Sequence, residues 1–416
     1  MSDPTPPNDY VSDVALTGCK FCVVYDCFFP LTHGGAERWY RVLVERLVSA
    51  GATVTYLTRR QWPSEPPFLA GAEIVAVSGA SELYDVVGKR RVGPAVAFGA
   101  GTFLWMVRHR REFDAVIVAS FPFFSVLAVR GALTGTGTPI FVDYHEVWSS
   151  QYWRSYGGWF TGTFGALIQR LCVRLTHFAQ VFAEENARRL RQHGFRGELA
   201  VLAGLFPGDR MEWVASKKAP VNPVVLFVGR LVKDKGVRLL PEILAVARLR
   251  LPTLGMVVVG TGPERAAVEG DMNRLGLAED VLFTGSVSDD ELHQCFAKAS
   301  CTIIPSLREG YGIVVAESLA AGTPVVVANN VENLATGLVE SGVNGFVVEP
   351  SVKEMADGIV AVVVAGGQLR SSTAAWHVEH SKVMNMDRSA DEMVVRLSTR
   401  VPTRTLRSKK HRRSVK

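Results

Sequence analysis

Two clusters of residues in the second half of the chain have the types and spacing that phosphate binding requires. The first is the segment from Gly229 to Gly236, in which Arg230 and Lys235 follow an apolar run typical of a buried strand. Cations that are already in place stabilise the charge that builds on phosphate oxygens as a bond to a diphosphate breaks. A solvated basic turn would contain the same residues, so this segment alone does not indicate a site.

The second cluster is Glu309-Gly-Tyr-Gly-Ile-Val-Val-Ala-Glu317, in which glycines lead into an apolar helix. The backbone N–H groups of Gly310, Tyr311 and Gly312 at a helix N-terminus would form an anion site. Glu309 lies at the mouth of the predicted helix and Glu317 about two turns into it, and eight residues of helix rise about 12 Å. A glycoside hydrolase pair stands roughly 5–9.5 Å apart. The spacing therefore favours two carboxylates that bind opposite ends of one elongated ligand.

In this order, the two clusters resemble the donor-binding domain of the retaining glycosyltransferases of family 4, the group 1 glycosyltransferases. In that family a G-R-x4-K loop precedes an E-x7-E motif. Flanking stretches match as well: Val259-Gly-Thr-Gly-Pro263, Phe283-Thr-Gly-Ser-Val287, Pro305-Ser306, Gly322-Thr-Pro-Val325 and Asn344-Gly345. The resemblance implies an enzyme of the GT-B fold that uses a nucleotide sugar.

The resemblance also implies roles for the loop residues. Gly229 opens the loop in which Arg230 and Lys235 would hold the donor diphosphate. Glu309 would bind hydroxyls of the transferred sugar, and the amides of Gly310 to Gly312 would contact the sugar or the phosphate.

Three further residues are assigned to the nucleoside by the same resemblance. Glu317 would bind the ribose hydroxyls, and Ser286 and Val287 would lie against the base. The alternative for Glu317 is a carboxylate on a helix surface. The alternative for the other two is an ordinary strand end.

The first half resembles the same family at fewer places. Gly34 and Gly35 open a helix after the first strand, as in the family's glycine loop near the donor phosphate and the acceptor. His145 follows a strand and matches a histidine that reaches the transferred sugar, although a structural histidine is the open alternative. Glu185 is better explained as a helix-surface residue.

No metal or additional cofactor is expected. No Asp-x-Asp motif follows a predicted strand, and Asp289 and Asp290 begin a predicted helix, where acids interact favourably with the dipole. Cys19 and Cys22 form a single C-x-x-C pair without the second pair that a four-ligand zinc site needs. The cations of the 229–236 loop would take the place of a divalent ion.

The elements that must position these residues alternate between strand and helix. Predicted strands are 21–27, 53–58, 73–77, 114–119, 139–143, 224–228, 254–260, 281–284, 301–304, 324–328 and 345–348. Predicted helices are 36–50, 237–251, 264–276, 289–299, 313–321, 331–342 and 352–365. Apolar strands between helices predict an α/β protein of two tandem Rossmann-like, doubly wound parallel-sheet domains that face a cleft.

The expected organisation has six parts. They are a disordered N-terminal segment (1–18), an acceptor domain (19–210), a linker (211–222), a donor domain (223–370), a C-terminal helical segment expected to pack back on the first domain (371–398) and a disordered basic tail (399–416).

The bulk composition is that of a globular chain, with 48% hydrophobic and 21% charged residues, which excludes disordered and fibrous classes. The net charge of +6 resides in the tail, because residues 400–416 carry eight Lys or Arg and no acid. We expect no specific nucleic-acid partner. The start of the chain lacks a secretory signal pattern, and we expect a cytoplasmic protein.

A surface for anionic membranes is one interpretation of the region from Lys89 to Phe164. Basic residues flank the apolar run Val92 to Val107, and the aromatic residues Trp148, Trp153 and Trp159 follow. Cations beside aromatic side chains suit an interfacial surface. Core helices with basic ends are the alternative. On the first interpretation the protein is peripheral on the cytoplasmic face of the membrane.

The resemblance to family 4 implies a retaining glycosyltransferase that moves a hexose of the mannose or glucose type from a nucleotide-diphosphate sugar. The acceptor would be a hydroxyl of a glycan or of a lipid-linked molecule. Two alternatives stay open. One is a nucleotide-sugar 2-epimerase on the same architecture, and the other is a non-catalytic partner subunit that binds nucleotide sugars.

Overall fold

The structure is a computed structural model that describes residues 14–32, 34–85, 88–207 and 222–401. The chain forms two compact units. Unit 1 contains the described residues up to Leu83, then Arg91–Gly204, and those from Met386 onwards. Unit 2 contains Tyr84–Arg90 and Leu205–Asn385.

Unit 1 is built on seven parallel strands. They are β1 (Lys20–Val24), β2 (Thr53–Arg59), β3 (Ala72–Ser78), β4 (Ala115–Ala119), β5 (Ile140–Asp143), β6 (Phe178–Val181) and β7 (Glu198–Val201). Their order in the sheet is β3-β2-β1-β4-β5-β6-β7. Every residue of β4 is buried, because helices cover both faces of the sheet.

The helices of unit 1 bury one apolar face each. They are α1 (Gly35–Ser49), α2 (Val92–His109), α3 (Phe123–Ala132), α4 (Ser150–Leu175) and α5 (Glu184–Gln192). In α1, Trp39, Leu43 and Leu47 recur every four residues and lie in the core. Among the described residues, no helix has the length and apolar character needed to cross a bilayer.

Unit 2 repeats the doubly wound plan with a smaller sheet. Its strands are β8 (Val224–Val228), β9 (Gly255–Val259), β10 (Val281–Gly285), β11 (Cys301–Ile304), β12 (Arg308–Glu309), β13 (Val325–Ala328), β14 (Glu332–Asn333) and β15 (Gly345–Val348). Six of them form a parallel sheet in the order β10-β9-β8-β11-β13-β15, and β12 pairs with β14. The predicted class of two parallel-sheet α/β domains is confirmed.

The helices of unit 2 are α6 (Leu240–Arg248), α7 (Arg265–Arg274), α8 (Asp289–Lys298), α9 (Ile313–Ala320) and α10 (Val352–His380). Four short 3-10 helices accompany them: Lys233–Lys235, Val237–Leu239, Ala278–Asp280 and Leu334–Leu338. The long α10 is broken at Gly366, which has a φ of 54°. The final helix, α11 (Met386–Arg400), belongs to unit 1, where Arg46 Nη2 of α1 donates to Asp391 Oδ2 at 2.9 Å.

The helix predicted at 331–342 is wrong. That stretch contains β14 and the 3-10 helix Leu334–Leu338. The side chain of Asn333 accepts a hydrogen bond from the backbone N–H of Ala335 and donates to the carbonyl of Ala328. Local bonding of this kind competes with an α-helix and is characteristic of asparagine.

Two predicted boundaries also need correction. The N-terminal segment was predicted to be disordered to residue 18, but Leu16 is fully buried and its backbone N–H donates to the carbonyl of Ala50 at 2.7 Å. The tail was predicted to begin at residue 399, but α11 continues to Arg400 and Val401 is buried. The predicted linker lies outside the described residues except for Asn222, as does the tail beyond Val401.

The division between the units also differs from the predicted boundaries. It falls at 204/205 and 385/386 instead of near 211 and 371, and residues 84–90 from the first half belong to unit 2. Sequence patterns identify elements, but they do not reveal which unit a short irregular segment packs against.

Candidate active site

The two clusters found in the sequence lie side by side in unit 2. β8 and β11 are adjacent strands, and the sheet order reverses between them. The loop 229–236 follows β8 and the loop 305–312 follows β11. In doubly wound sheets, ligands bind outside the carboxyl ends of the strands at such a reversal.

Lys235 and Glu309 form an ion pair at this edge. Lys235 Nζ donates to Glu309 Oε1 at 2.6 Å, and Ser306 Oγ donates to the same oxygen at 2.7 Å. The side chains of Lys235 and Glu309 are 24% and 15% exposed. The predicted diphosphate cation and the predicted sugar carboxylate therefore share one partly buried cluster, and sequence reasoning did not anticipate their direct contact.

Two glycines allow these loops to come together. Gly236 has a φ of 67°, and a Cβ there would stand 2.8 Å from the carbonyl carbon of Pro305. Gly312 has a φ of 98°, and a Cβ there would stand 2.9 Å from the Cα of Ala335. A side chain at either position would clash with backbone atoms of the neighbouring segment. It would also have to adopt a positive φ, which L-residues avoid.

Glu309 lies on a strand and not on a helix. It belongs to β12, where it pairs with Asn333 of β14. The helix begins only at Ile313, with Gly312 as its N-cap. The estimate of about 12 Å between the carboxylates assumed a continuous helix, and that assumption is wrong. The amides of Gly310, Tyr311 and Gly312 do lead into the N-terminus of α9.

The segment 329–335 holds the loop 305–312 in place through hydrogen bonds to its backbone. Asn333 Nδ2 donates to the carbonyl of Ser306 at 3.3 Å, and Asn330 Nδ2 donates to the same carbonyl at 3.0 Å. Both amides thus fix the backbone beside the Ser306 hydroxyl that bonds Glu309. Sequence reasoning missed these positioning residues because it treated their segment as a helix.

Arg230 is exposed, and its guanidinium lies 4.4 Å from the centre of the Tyr84 ring. Contacts of this type are attractive and restrict the position of the cation. Tyr84 comes from the 84–90 segment assigned to unit 2. Nothing in the sequence connects a tyrosine so far from the motif with Arg230.

Arg308 is a third cation of the site that sequence reasoning did not select. Burial lowers its pKa to about 10, while the carboxylates of Glu309 and Glu332 oppose that shift. Its Nη2 lies 3.9 Å from Asp234 Oδ2, in the loop between Arg230 and Lys235. Arg308 therefore joins the two loops and remains charged at neutral pH.

Glu317 lies in α9 and is only 4% exposed. The alternative of a helix-surface carboxylate is therefore excluded. The contact of Glu317 with ribose hydroxyls stays a prediction.

Ser286 and Val287 follow β10 at the edge of the sheet, two strands from β8. Ser286 is exposed, and Val287 packs against a small core cluster that includes Phe296 and Leu226. The next residue, Ser288, caps α8 in a capping box with Glu291. The structure therefore does not bring these two residues into the Lys235–Glu309 cluster, and their contact with a base stays a prediction.

In unit 1, His145 follows β5 and is held by aromatic rings. Its ring stacks on Phe182 with centroids 5.2 Å apart and meets Tyr40 edge-on at 5.7 Å. Burial lowers the pKa of His145 to about 4, so the ring is neutral at pH 7. Its Nε2 is buried and has no hydrogen-bond partner among the described residues. Such an atom calls for a ligand or a water molecule, which favours the functional interpretation of His145.

Asp143 anchors the strand end that carries His145. It accepts hydrogen bonds from Trp39 Nε1 at 2.9 Å and from Gln180 Nε2. Burial raises the pKa of Asp143 to about 6, and these two hydrogen bonds oppose the rise. The carboxyl group ties β5 to α1 and β6.

Gly34 is the N-cap of α1, and Gly35 is its first residue. The carboxylate of Glu37, in the first turn, lies against Gly34. This helix N-terminus thus accommodates an anionic group, as helix dipoles favour.

An open groove of about 570 Å³ lies in unit 1 at the carboxyl ends of the first strands. Its walls come from the loops that follow β1, β2 and β3. The polar and aromatic residues that line it are Thr32, Arg59, Arg60, Gln61, Trp62 and Glu82.

Glu185 lies on the surface of α5, as the sequence analysis predicted. It accepts hydrogen bonds from Arg188 Nε at 2.6 Å and from Arg189 Nε at 2.8 Å on α5. The Arg188 guanidinium, followed by Arg189, lowers the pKa of Glu185 to about 2 despite the opposing effect of burial. Glu185 is a helix-surface ion-pair residue.

The cysteines are free thiols, and Cys19 and Cys22 are buried. Among the described residues, no three His, Cys, Asp or Glu side chains cluster as metal ligands would. The absence of a metal requirement stays a prediction.

Two family models match the chain. The model for group 1 glycosyl transferases matches residues 210–371, and the model for the glycosyl transferase 4-like domain matches residues 34–252, just over half of the chain.

Curated relatives match over part of their length. An uncharacterised glycosyltransferase of Methanocaldococcus jannaschii is 38% identical over 131 residues, which are 30% of this chain and 32% of that protein. A GDP-mannose-dependent alpha-(1-6)-phosphatidylinositol monomannoside mannosyltransferase of Mycobacterium tuberculosis is 31% identical over 201 residues, 44% of this chain and 52% of that protein. The matched region thus spans about a third of the first relative and about half of the second.

Solved structures match over nearly the whole chain. Sucrose-phosphate synthase from Thermosynechococcus elongatus has a TM-score of 0.74 at 17% identity and covers 90% of this chain and 97% of its own. HepE from Anabaena, solved in complex with UDP and glucose, has a TM-score of 0.68 at 19% identity and covers 92% of this chain and 100% of its own. At such identities the likeness shows the GT-B fold alone.

Proposed function

This chain belongs to the group 1 glycosyltransferases with a glycosyl transferase 4-like domain, and on that premise we propose that it transfers a hexose from a nucleotide-diphosphate sugar. The acceptor is a hydroxyl of a glycan or of a lipid-linked molecule, and the anomeric configuration is retained. The observation that carries the proposal is the Lys235–Glu309–Ser306 cluster at the strand-order reversal of unit 2.

The ammonium group of Lys235 suits a diphosphate because it has three donor protons. One is used by Glu309, and two remain for phosphate oxygens of the donor. Arg230 adds a second cation on the same loop. Both would stabilise the charge that develops on the leaving diphosphate, which is the largest contribution to catalysis in many transfer reactions.

Glu309 would at the same time accept hydrogen bonds from hydroxyls of the transferred sugar. In the proposed reaction the bond from the anomeric carbon to the diphosphate breaks, and a bond to the acceptor oxygen forms on the same face. The departing phosphate takes the proton of the acceptor hydroxyl. His145, neutral at pH 7, is proposed to hydrogen-bond the sugar.

The names of similar proteins suggest which donors to test. One relative is described as GDP-mannose-dependent, and one solved structure holds UDP and glucose. The ligands of these proteins are candidates for this chain. We propose GDP-mannose and UDP-glucose as the first donors to examine.

We place the acceptor in the groove of unit 1 beside α1. Trp62 offers an aromatic face for a sugar ring, and Gln61, Arg60 and Glu82 offer polar groups for its hydroxyls. Sites that bind sugars combine apolar surface with a few convergent polar groups in this way.

The test is a panel of nucleotide sugars in a thermal-shift assay, followed by measurement of nucleoside diphosphate release with acceptor. A bound donor raises the unfolding midpoint by mass action. Lys235→Met should reduce kcat/KM by about 100-fold or more. Lys233→Met, on the same 3-10 helix but exposed, is the matched control and should change it little.

The outcomes separate the alternatives. A 2-epimerase would change the sugar of the donor without transferring it to an acceptor. A non-catalytic partner subunit would bind the donor without turnover. In that case neither Lys235→Met nor Lys233→Met would change the function of the protein in cells. We also propose that no metal is required: activity should survive exhaustive chelation, and loss that magnesium or manganese restores would contradict this.

A further inference from the structure

Helix α4 exposes an apolar stripe that nothing in unit 1 covers among the described residues. The stripe consists of Phe160, Phe164, Leu167 and Leu171, spaced by four, three and four residues, with Trp159 beside it. Such spacing places the side chains on one face of a helix. Phe160 is 80% exposed and Trp159 is 68% exposed.

The opposite face of α4 is buried in the core of unit 1. Trp153, Cys172 and Val173 belong to the same hydrophobic cluster as residues of β4 and α3. The aromatic residues Trp148 and Trp153, which the sequence suggested as surface groups, are therefore core residues. α4 therefore has apolar side chains on two faces. The inner face packs in the core of unit 1, whereas the apolar side chains of the outer face are not buried by folding.

The same helical layer carries a second exposed apolar set on α2. Val96, Phe103, Leu104 and Val107 are exposed there. Helix α3 packs against both α2 and α4, and all three contribute to one core cluster. The two exposed sets therefore belong to one side of the sheet.

The charge of this layer is of a single sign. Helices α2, α3 and α4 contain no Asp or Glu, and their arginines are Arg108, Arg130, Arg154, Arg170 and Arg174. Arg170 and Arg174 lie next to the stripe, one and three residues from Leu171. A large apolar patch on a soluble protein marks an interaction site. Exposed apolar and aromatic groups on helices that carry arginines and no acids fit a bilayer interface rich in anionic lipid.

The backbone at the start of the stripe suits this use. α4 is kinked at Gly158, which has a φ of 75°. Trp159 and Phe160 follow directly, so the two most exposed aromatic groups of α4 lie at the kink. Tryptophan and phenylalanine are typical of the apolar face of helices that lie in the interface.

We propose that the outer face of α4, together with the exposed residues of α2 on the same side of the sheet, docks the protein on the surface of bilayers that contain anionic lipid. The proposal concerns binding and does not depend on the proposed transfer reaction. It also gives a role to the apolar residues of α4 that lie on a face that folding does not bury.

The experiment is co-sedimentation of the full chain with vesicles of phosphatidylcholine alone and of phosphatidylcholine containing about 30% phosphatidylserine, at low salt. The wild type should bind only the anionic vesicles. Phe160→Ser combined with Phe164→Ser should reduce the bound fraction at least tenfold. Phe68→Ser, at an equally exposed aromatic residue outside the three helices, is the matched control and should bind as the wild type does.

Several outcomes would overturn the proposal. One is a wild type that does not bind anionic vesicles. Another is binding that the phenylalanine substitutions leave unchanged, which would assign it to the basic residues after Arg400. A third is a dimer in sedimentation velocity that dissociates in the double variant, which would assign the stripe to a second copy of the chain. An unchanged thermal midpoint shows that the variants are folded.

Discussion

Glu309→Gln should strengthen the binding of the bare nucleoside diphosphate while it slows transfer. The carboxylate of Glu309 lies 2.6 Å from Lys235 Nζ. A phosphate oxygen bound to another proton of the same ammonium group would lie about 2.8 Å away. Because the N–H bonds of a tetrahedral ammonium group point about 109° apart, the two anionic oxygens would then stand about 4.4 Å from each other.

The magnitude follows from Coulomb's law. Two unit charges at about 4.4 Å repel by about 0.9 kcal/mol in water and by about 3.8 kcal/mol at an effective dielectric constant of 20. The cluster is partly buried, so the gain on neutralising Glu309 should lie between these limits. That range corresponds to a decrease in Kd of between about 5-fold and about 600-fold.

Transfer should move in the opposite direction, because the amide of glutamine is a weaker acceptor for the sugar hydroxyls than a carboxylate. Isothermal titration calorimetry gives Kd for the diphosphate, and initial rates give kcat/KM. Asp357→Asn is the matched control, because it neutralises a carboxylate in the exposed ion pair with Lys353. Weaker or unchanged diphosphate binding in Glu309→Gln would refute the reasoning, and so would an equal gain in Asp357→Asn.

Two further results are expected. Gly312→Ala should lower the free energy of unfolding by at least about 2 kcal/mol in urea titrations, because its positive φ and its contact with Ala335 both oppose a side chain. Gly270→Ala, in open space on α7, should instead be neutral or stabilising by up to about 1 kcal/mol, and equal losses would contradict the argument. The lowered pKa of His145 means that the folded state favours the neutral ring. Its contribution to the free energy of unfolding is therefore complete above about pH 6.5 and is lost as the pH falls towards about 4. His145→Gln should remove about 3 kcal/mol of that acid sensitivity, measured by urea unfolding across this range; an unchanged pH dependence would rule out the assignment.

The strands of unit 2 could be predicted because they are buried on both faces. β8, β9, β11 and β13 read as short continuous apolar runs, which parallel sheets covered by helices produce. The helix predicted at 331–342 failed for the opposite reason. Its conformation depends on Asn333, which bonds the carbonyl of Ser306, 27 residues earlier in the sequence.

The candidate site could be predicted as two motifs but not as one cluster. Lys235 and Glu309 are 74 residues apart, and only the adjacency of β8 and β11 brings their side chains together. Arg308 was overlooked because it precedes the motif, and only the structure shows its contact with Asp234 of the other loop. The placement of Tyr84 over Arg230 leaves no trace in sequence spacing at all.

The assignment of residues 84–90 to unit 2 matters for anyone who recombines this protein with a relative. The polypeptide passes between the two units at 83/84, 90/91, 204/205 and 385/386. A chimera that exchanges only residues 205–385 would carry Arg230 without the native ring that lies over it. A graft that also takes residues 84–90 would keep that contact, so modules for specificity exchange should be defined by packing and not by a single cut in the chain.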